Sequence, residues 1–150
     1  MSTASIDDRR TTVDAYDFRG IHPHVRFGTA SNRYGGWIGQ IYPPERYADQ
    51  VSTRSRKMGG ETFTERRVPI ESVRDYFEHF EVLELDFTFY RPLLEENDER
   101  GSNHHVLSNY AEHAPADASF LVKAPQKFFA RTLRRDGQFV DNPSFLDAEG

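Results

Sequence analysis

The chain of 150 residues contains no cysteine, which excludes disulfides, thiolate zinc sites, cysteine nucleophiles and thiol redox chemistry. It also lacks any run approaching the roughly 20 apolar residues that span a bilayer. Met1 to Arg10 is rich in Ser, Thr, Asp and Arg, without the apolar centre of a secretory leader. A cytoplasmic location with no membrane partner is therefore expected. Three loops with well-understood chemistry are missing too: the phosphate-cradling Gly-x-x-x-x-Gly-Lys, the Gly-x-Ser-x-Gly elbow and the Gly-x-Gly-x-x-Gly fingerprint. Nucleotide-dependent phosphoryl transfer and serine hydrolysis lose their usual support. The histidines His22, His24, His79, His104, His105 and His113 never fall in a ligand spacing such as His-Glu-x-x-His, so no metal is assigned and the cofactor is unknown.

Apolar content is low at 37%, with 29% charged residues and a mean hydropathy of −0.74, values that suit one globular domain carrying a polar tail or insertion. A net charge of −5 argues against a generic polyanion binder, although local basic patches remain able to contact phosphate. Charge is unevenly spread. From Glu71 to Glu99 ten acidic residues face only Arg74 and Arg91, while Lys123, Lys127, Arg131, Arg134 and Arg135 cluster later. The run from Lys127 to Arg135, interleaved with Phe128 and Phe129, reads as a solvated loop and helix end that could also grip phosphate.

Residues 1–24 read as a flexible polar tail. Val25 to Thr29 reads as a strand entering a polar, glycine-containing loop from Ala30 to Gly36. Tyr47 to Pro69, with Gly59-Gly60 at its middle, is assigned as an insertion or mobile loop because it is too polar for core. Val73, Tyr76, Phe77 and Phe80 recur at i, i+3, i+4 and i+7 and predict a helix over Glu71–Phe80 with one buried stripe. A second strand starts at Val82, a second helix spans His104–His113 before Pro115, and Ser119–Lys123 is a third strand. Strand, helix, strand, helix, strand predicts right-handed crossovers and a parallel sheet. Asn142 to Asp147 reads as an opening helix, cut off by Ala148-Glu149-Gly150, as though a longer fold were interrupted.

The most informative segment is Val82 to Tyr90. Alternation places Glu84 and Asp86 on one strand face and Leu83, Leu85 and Phe87 on the other. Buried charge without a partner is costly, so such a face ends in ion pairs, a metal or a water-filled pocket. Two carboxylates two apart could share a divalent ion, but no histidine spacing accompanies them.

Gly28-Thr29-Ala30-Ser31 with Tyr34, Trp37, Gly39 and Tyr42-Pro43, then Tyr76 to Tyr90, then Lys123-Ala124-Pro125, form three blocks spanning Phe27 to Pro125. In content and order these blocks resemble the YecE-like family, known as domain of unknown function 72. Asn32 stands where that family usually has a second aromatic, Asp86-Phe87 where it has Asn-Ser, and Lys127 to Thr132 supplies no histidine. The resemblance implies a TIM-type barrel, of which residues 25–150 would be the amino-terminal part, about the first three strand-helix units. A complete barrel needs roughly 250 residues.

In a parallel barrel, active groups lie at the carboxyl ends of strands and in the loops that follow. Ser31, Tyr34 and Trp37 follow the first strand, Asp86, Thr88 and Tyr90 come at or after the end of the second, and Lys123 ends the third. Glu84 or Asp86 is thus expected to act as acid or base, with Lys123 neutralising one of them; the alternative is an internal salt bridge that only fixes strand register. Ser31, Tyr34, Trp37, Thr88 and Tyr90 are the expected ligand contacts, with aromatic packing as the alternative for Trp37 and Tyr90. The functional expectation is an enzyme acting on a sugar-like, phosphorylated or nucleic-acid substrate. A non-catalytic ligand-binding module, or an inactive truncated product that needs a missing barrel half or an oligomer partner, is the rival.

Overall fold

Two turn sequences account for most of the strand pairing, and one buried helix stripe for much of the core. The computed structural model describes residues 16–95, 97 and 99–146. Its strands are β1 (Gly28–Thr29), β2 (Ser52–Met58), β3 (Glu61–Arg67), β4 (Val82–Leu85), β5 (Ser119–Val122), β6 (Thr132–Arg135) and β7 (Gln138–Asp141). Two helices exceed one turn, α1 (Val73–His79) between β3 and β4 and α2 (Ser102–His113) between β4 and β5. Among the described residues no helix is long and apolar enough to cross a membrane.

The parallel sheet has the order β1-β4-β5, with Gly28 opposite Val82, and Leu83 and Leu85 opposite Phe120 and Val122. Leu83 and Leu85 face the helices and are buried with Val73, Tyr76, Phe77, Phe80 and Tyr110, while Phe120 packs against the same cluster. Each such side chain, taken out of water, stabilises by about 1.5–3 kcal/mol. The Tyr76 hydroxyl accepts a hydrogen bond from the Thr29 amide at 2.8 Å and donates to the Val82 carbonyl at 2.8 Å, bracing β1 against β4 from beneath. Residues at the end of the expected tail dock on this layer: Phe18 stacks on Phe80 at 4.8 Å, and the Phe18 amide donates to the His79 carbonyl. Met1 to Ala15 lie outside the described residues.

A partial TIM-type barrel is not what forms. Among the described strands, parallel pairing joins β1, β4 and β5, and the other four make two separate antiparallel hairpins, β2–β3 and β6–β7. The cause is local. Gly59 and Gly60 at φ +61° and +87°, and Asp136 and Gly137 at +50° and +84°, each provide the two consecutive left-handed residues of a tight hairpin turn. Such a turn closes at once, whereas parallel strands need a long crossover and its greater closure entropy. The stretch 47–69, expected as an insertion or mobile loop, thus contains a seven-rung ladder running from Ser52 opposite Arg67 to Met58 opposite Glu61. Residues 143–146 form a turn instead of opening a helix, and the rest of that expected helix lies outside the described residues.

The second parallel strand is also shorter than its alternation suggests. It stops at Leu85, and Phe87–Tyr90 form one helical turn entered through Asp86 in the right-handed region. The Thr88 hydroxyl turns back to the Leu85 carbonyl at 3.2 Å and reaches the Lys123 carbonyl at 2.7 Å, while the Phe89 amide donates to the Asp86 carbonyl. Side-chain bonds of this kind compete with continued strand pairing.

Four core tyrosines give the fold a pH limit. Burial is the leading cause that pushes the phenols of Tyr42, Tyr47, Tyr76 and Tyr110 up from their ordinary value, Tyr47 and Tyr110 to about 12. Their contribution is fully present below the unfolded value of about 10 and is lost as pH rises through the raised folded values. Absorbance at 295 nm is expected to show these phenols ionising together with loss of helical circular dichroism above pH 10. Their independent ionisation in a folded chain at pH 10 would contradict it.

Candidate functional site

The loop after β1 is held by polar bonds rather than by apolar packing. Asn32 is fully buried at its centre. Its side-chain amide donates to the Ser72 hydroxyl at 2.8 Å, its side-chain carbonyl accepts from the Tyr110 hydroxyl at 2.8 Å, and its backbone carbonyl accepts from the Tyr42 hydroxyl. Beyond it, Arg33 and Tyr34 pair with the foot of the β2–β3 hairpin. The Val68 amide donates to the Arg33 carbonyl, Arg33 Nε returns a bond to the Val68 carbonyl at 2.8 Å, and Tyr34 bridges to Arg67. Gly35 is buried where a Cβ would lie 2.9 Å from Arg66, so the absence of a side chain there lets the hairpin sit against the loop.

These attachments bring the hairpin to one side of an open cavity of about 420 Å³ at the carboxyl end of the parallel sheet. Ser31 and Tyr34 enter it from the loop after β1, Asp86, Phe87 and Tyr90 from the turn after β4, and Arg91 and Asn103 from beyond that turn. The Asn103 amide fixes the outer segment by donating to the Phe87 carbonyl at 3.1 Å and the Arg91 carbonyl at 2.7 Å. The hairpin supplies Arg54, Arg56, Glu65 and Arg67. Cross-strand partners share one face, and Arg54 opposite Glu65, with Arg56 two residues along, places all of them on the face turned to the cavity.

The two carboxylates that alternation groups together are separated. Glu84 stays on β4, on the sheet face away from the helices, and pairs with Lys123 at 2.6 Å. Both side chains keep solvent access, 30% for Glu84 and 43% for Lys123. The hydrogen bond with Glu84, ahead of any other cause, raises the Lys123 pKa. Asp86 lies past the strand end and lines the arginine-rich cavity, which Glu84 does not.

The remaining expected contacts divide as follows. Ser31, Tyr34, Asp86 and Tyr90 meet in the cavity just described. Thr88 and Lys123 line a neighbouring, mainly apolar cavity of about 560 Å³, together with Leu93, Leu94, Val122 and Phe128. Trp37 packs among Tyr34, Tyr42, Tyr76 and Phe80, with ring centres 4.8–6.5 Å apart. Within the late basic run, Lys127 lies over the Phe128 ring at 4.9 Å, and Arg134 and Arg135 are exposed on β6. Among the described residues no group of three or more His, Asp or Glu side chains gathers to hold a metal.

Arg54, Arg56, Arg67, Glu65, Arg91 and Asn103 are among the cavity residues that motif reasoning passes over. A signal for the first three was present: Gly59-Gly60 between two runs of Thr, Ser and Arg is a hairpin turn sequence, and period-2 alternation puts Arg54 and Arg56 on one face. Asn103 carries no comparable signal. No protein-family model, curated protein or solved structure matches the chain.

Proposed function

We propose that the protein is an enzyme acting on a small, sugar-like ligand held at the carboxyl end of its parallel sheet, with Asp86 as the acid or base. One observation carries the reading: Ser31, Tyr34, Asp86 and Tyr90, from the ends of two different strands, line a single cavity. Aromatic faces suit the CH-rich side of a sugar, and hydroxyl and carboxylate groups suit its edges. All four residues fall in blocks that resemble the YecE-like family, with Asp86 standing where that family usually has Asn, and a relationship to that family is part of the proposal. Asp86 is preferred to Glu84 because Glu84 is already bonded to Lys123 and lies outside the cavity. Lys123 then acts on Glu84 rather than on the ligand.

Neutral pentoses and hexoses are expected to shift the ring resonances of Tyr34 and Tyr90, and a panel that shifts neither ring would sink the sugar reading. For any sugar derivative that is turned over, Asp86→Asn is expected to lower kcat by about 100-fold or more, the usual span for a lost acid or base. Glu84→Gln is expected to leave kcat within about threefold of the parent, since it removes no group in contact with the ligand. Unchanged turnover in Asp86→Asn would leave a non-catalytic binding module. The observation favouring that second reading is the exposure of Tyr90, which at 77% leaves the cavity open to water.

A further inference from the structure

The hairpin adds a feature that a neutral sugar does not require. Its inner face directs Arg54, Arg56 and Arg67 at the cavity, and Arg91 faces them from the loop after the Phe87–Tyr90 turn. Among the described residues no carboxylate comes within ion-pair distance of any of the four. Glu65 and Asp86 are the acidic groups lining the same space, so four guanidinium groups against two carboxylates leave about two positive charges to be balanced. The neighbouring Arg33 guanidinium is held below its ordinary pKa by burial first and by the positive Arg67 next.

Arginines on an outer strand face would be unremarkable, and Arg54 and Arg56 do keep solvent access. Their placement is what differs, because the hairpin that carries them is tied down at its foot through the Arg33–Val68 bonds and the close approach at Gly35, and they line the same cavity as Asp86 and Tyr34. The guanidinium fork matches phosphate oxygens two at a time, and a phosphomonoester carries about −1.5 to −2 charge near neutral pH, close to the excess in the cavity. A phosphodiester chain brings about one charge per residue and would need a basic track leading away. The exposed Glu61 towards the hairpin tip and Glu99 and Glu95 in the loop beyond Arg91 do not provide such a track.

We infer that the cavity is a phosphomonoester site: Arg54, Arg56 and Arg67 of the hairpin, with Arg91, hold the phosphate, while Asp86 and Tyr34 contact the hydroxyl-bearing remainder. The inference rests on the sugar reading for that remainder and adds to it the charged group and the element that binds it. It also gives the β2–β3 hairpin a role in recognition.

Calorimetric titration of the full chain with glucose, glucose 6-phosphate and inorganic phosphate, at matched ionic strength in chloride, separates the two layers. Glucose 6-phosphate is expected to bind roughly tenfold or more tighter than glucose, as charge-assisted hydrogen bonds to phosphate would give. Arg54→Gln with Arg56→Gln is expected to remove that advantage, so that glucose 6-phosphate binds no tighter than glucose to the same variant, while leaving the thermal midpoint in phosphate-free buffer unchanged. Arg134→Gln, outside the cavity, is expected to preserve the advantage. If glucose binds but phosphate adds nothing, or the double variant keeps the full advantage, the phosphate site is overturned and the sugar reading stands. If inorganic phosphate binds through Arg54 and Arg56 but glucose does not, the phosphate site stands and the sugar reading falls. Binding of a single-stranded oligonucleotide tighter than glucose 6-phosphate, with the same dependence on Arg54 and Arg56, would replace the phosphomonoester with a nucleic-acid backbone.

Discussion

Gly28→Ala is expected to unpair β1 from the sheet and to lower stability by about 3 kcal/mol, at the upper end of what overpacking usually costs. A Cβ at Gly28 would lie 1.8 Å from the Val82 carbonyl oxygen and 2.7 Å from the Val82 carbonyl carbon. Both are backbone atoms of the central strand, so no side-chain rotation relieves the overlap. Either β1 withdraws, breaking the pairing of Gly28 with Val82 and of Thr29 with Leu83, or β4 shifts and disturbs Leu83 and Leu85 in the core. Withdrawal would also cost the Thr29 amide its bond to Tyr76. Gly36→Ala is the matched control, because its Cβ meets nothing within 4 Å and its φ is not positive. Urea unfolding is expected to show a clearly lower midpoint for Gly28→Ala and little change for Gly36→Ala. Equal midpoints would mean that β1 contributes nothing to stability.

Asn32→Leu is expected to cost a similar amount, about 3 kcal/mol, by a different route. Leucine has the same branched shape as asparagine, with bulkier methyl groups, but leaves the Tyr110 hydroxyl without its acceptor inside a core where that residue is buried. An orphaned buried donor costs about 1–3 kcal/mol, and the loss of the bond to Ser72 adds to it. Tyr110→Phe removes the same donor, so the two substitutions share one term. The double variant is expected to be less destabilised than the two single changes would predict together, by about 1 kcal/mol. Strict additivity in denaturant unfolding would show that the Asn32–Tyr110 bond carries no energy. Because Asn32 also orients Arg33 and Tyr34, the single variant is expected to loosen the hairpin foot along with the core.

The buried stripe of α1 was legible because period and burial agree: Val73, Tyr76, Phe77 and Phe80 all enter the core. The third strand and second helix were legible for similar reasons, bounded by Pro115 and Pro125. The hairpins were harder to read. Their strands are short of apolar residues, so hydrophobic alternation is weak, and the information sits in two dipeptides, Gly59-Gly60 and Asp136-Gly137. The extension of the second strand to Tyr90 failed for a related reason. Alternation continues through Phe87 and Phe89, but Thr88, whose hydroxyl lies 2.7 Å from the Lys123 carbonyl and 3.2 Å from the Leu85 carbonyl, belongs to a helical turn. Asn32, the most connected polar group in the core, carries no motif at all, since its partners lie 40 and 78 residues away.

The sequence by itself determined the chemistry present around the end of the second parallel strand: two carboxylates, a nearby lysine and a set of tyrosines, with no thiol and no metal-ligand spacing. Tertiary structure decided which of these groups meet. Ending β4 at Leu85 sent Asp86 into a cavity and left Glu84 with Lys123 on the sheet face away from the helices. Pairing of β2 with β3, and of the hairpin foot with the loop after β1, then brought Arg54, Arg56 and Arg67 from a polar stretch to that same cavity. The physical reason is one of range. Composition and local turn chemistry act between neighbours, while the charge balance of a cavity depends on backbone hydrogen bonds between segments that are distant along the chain.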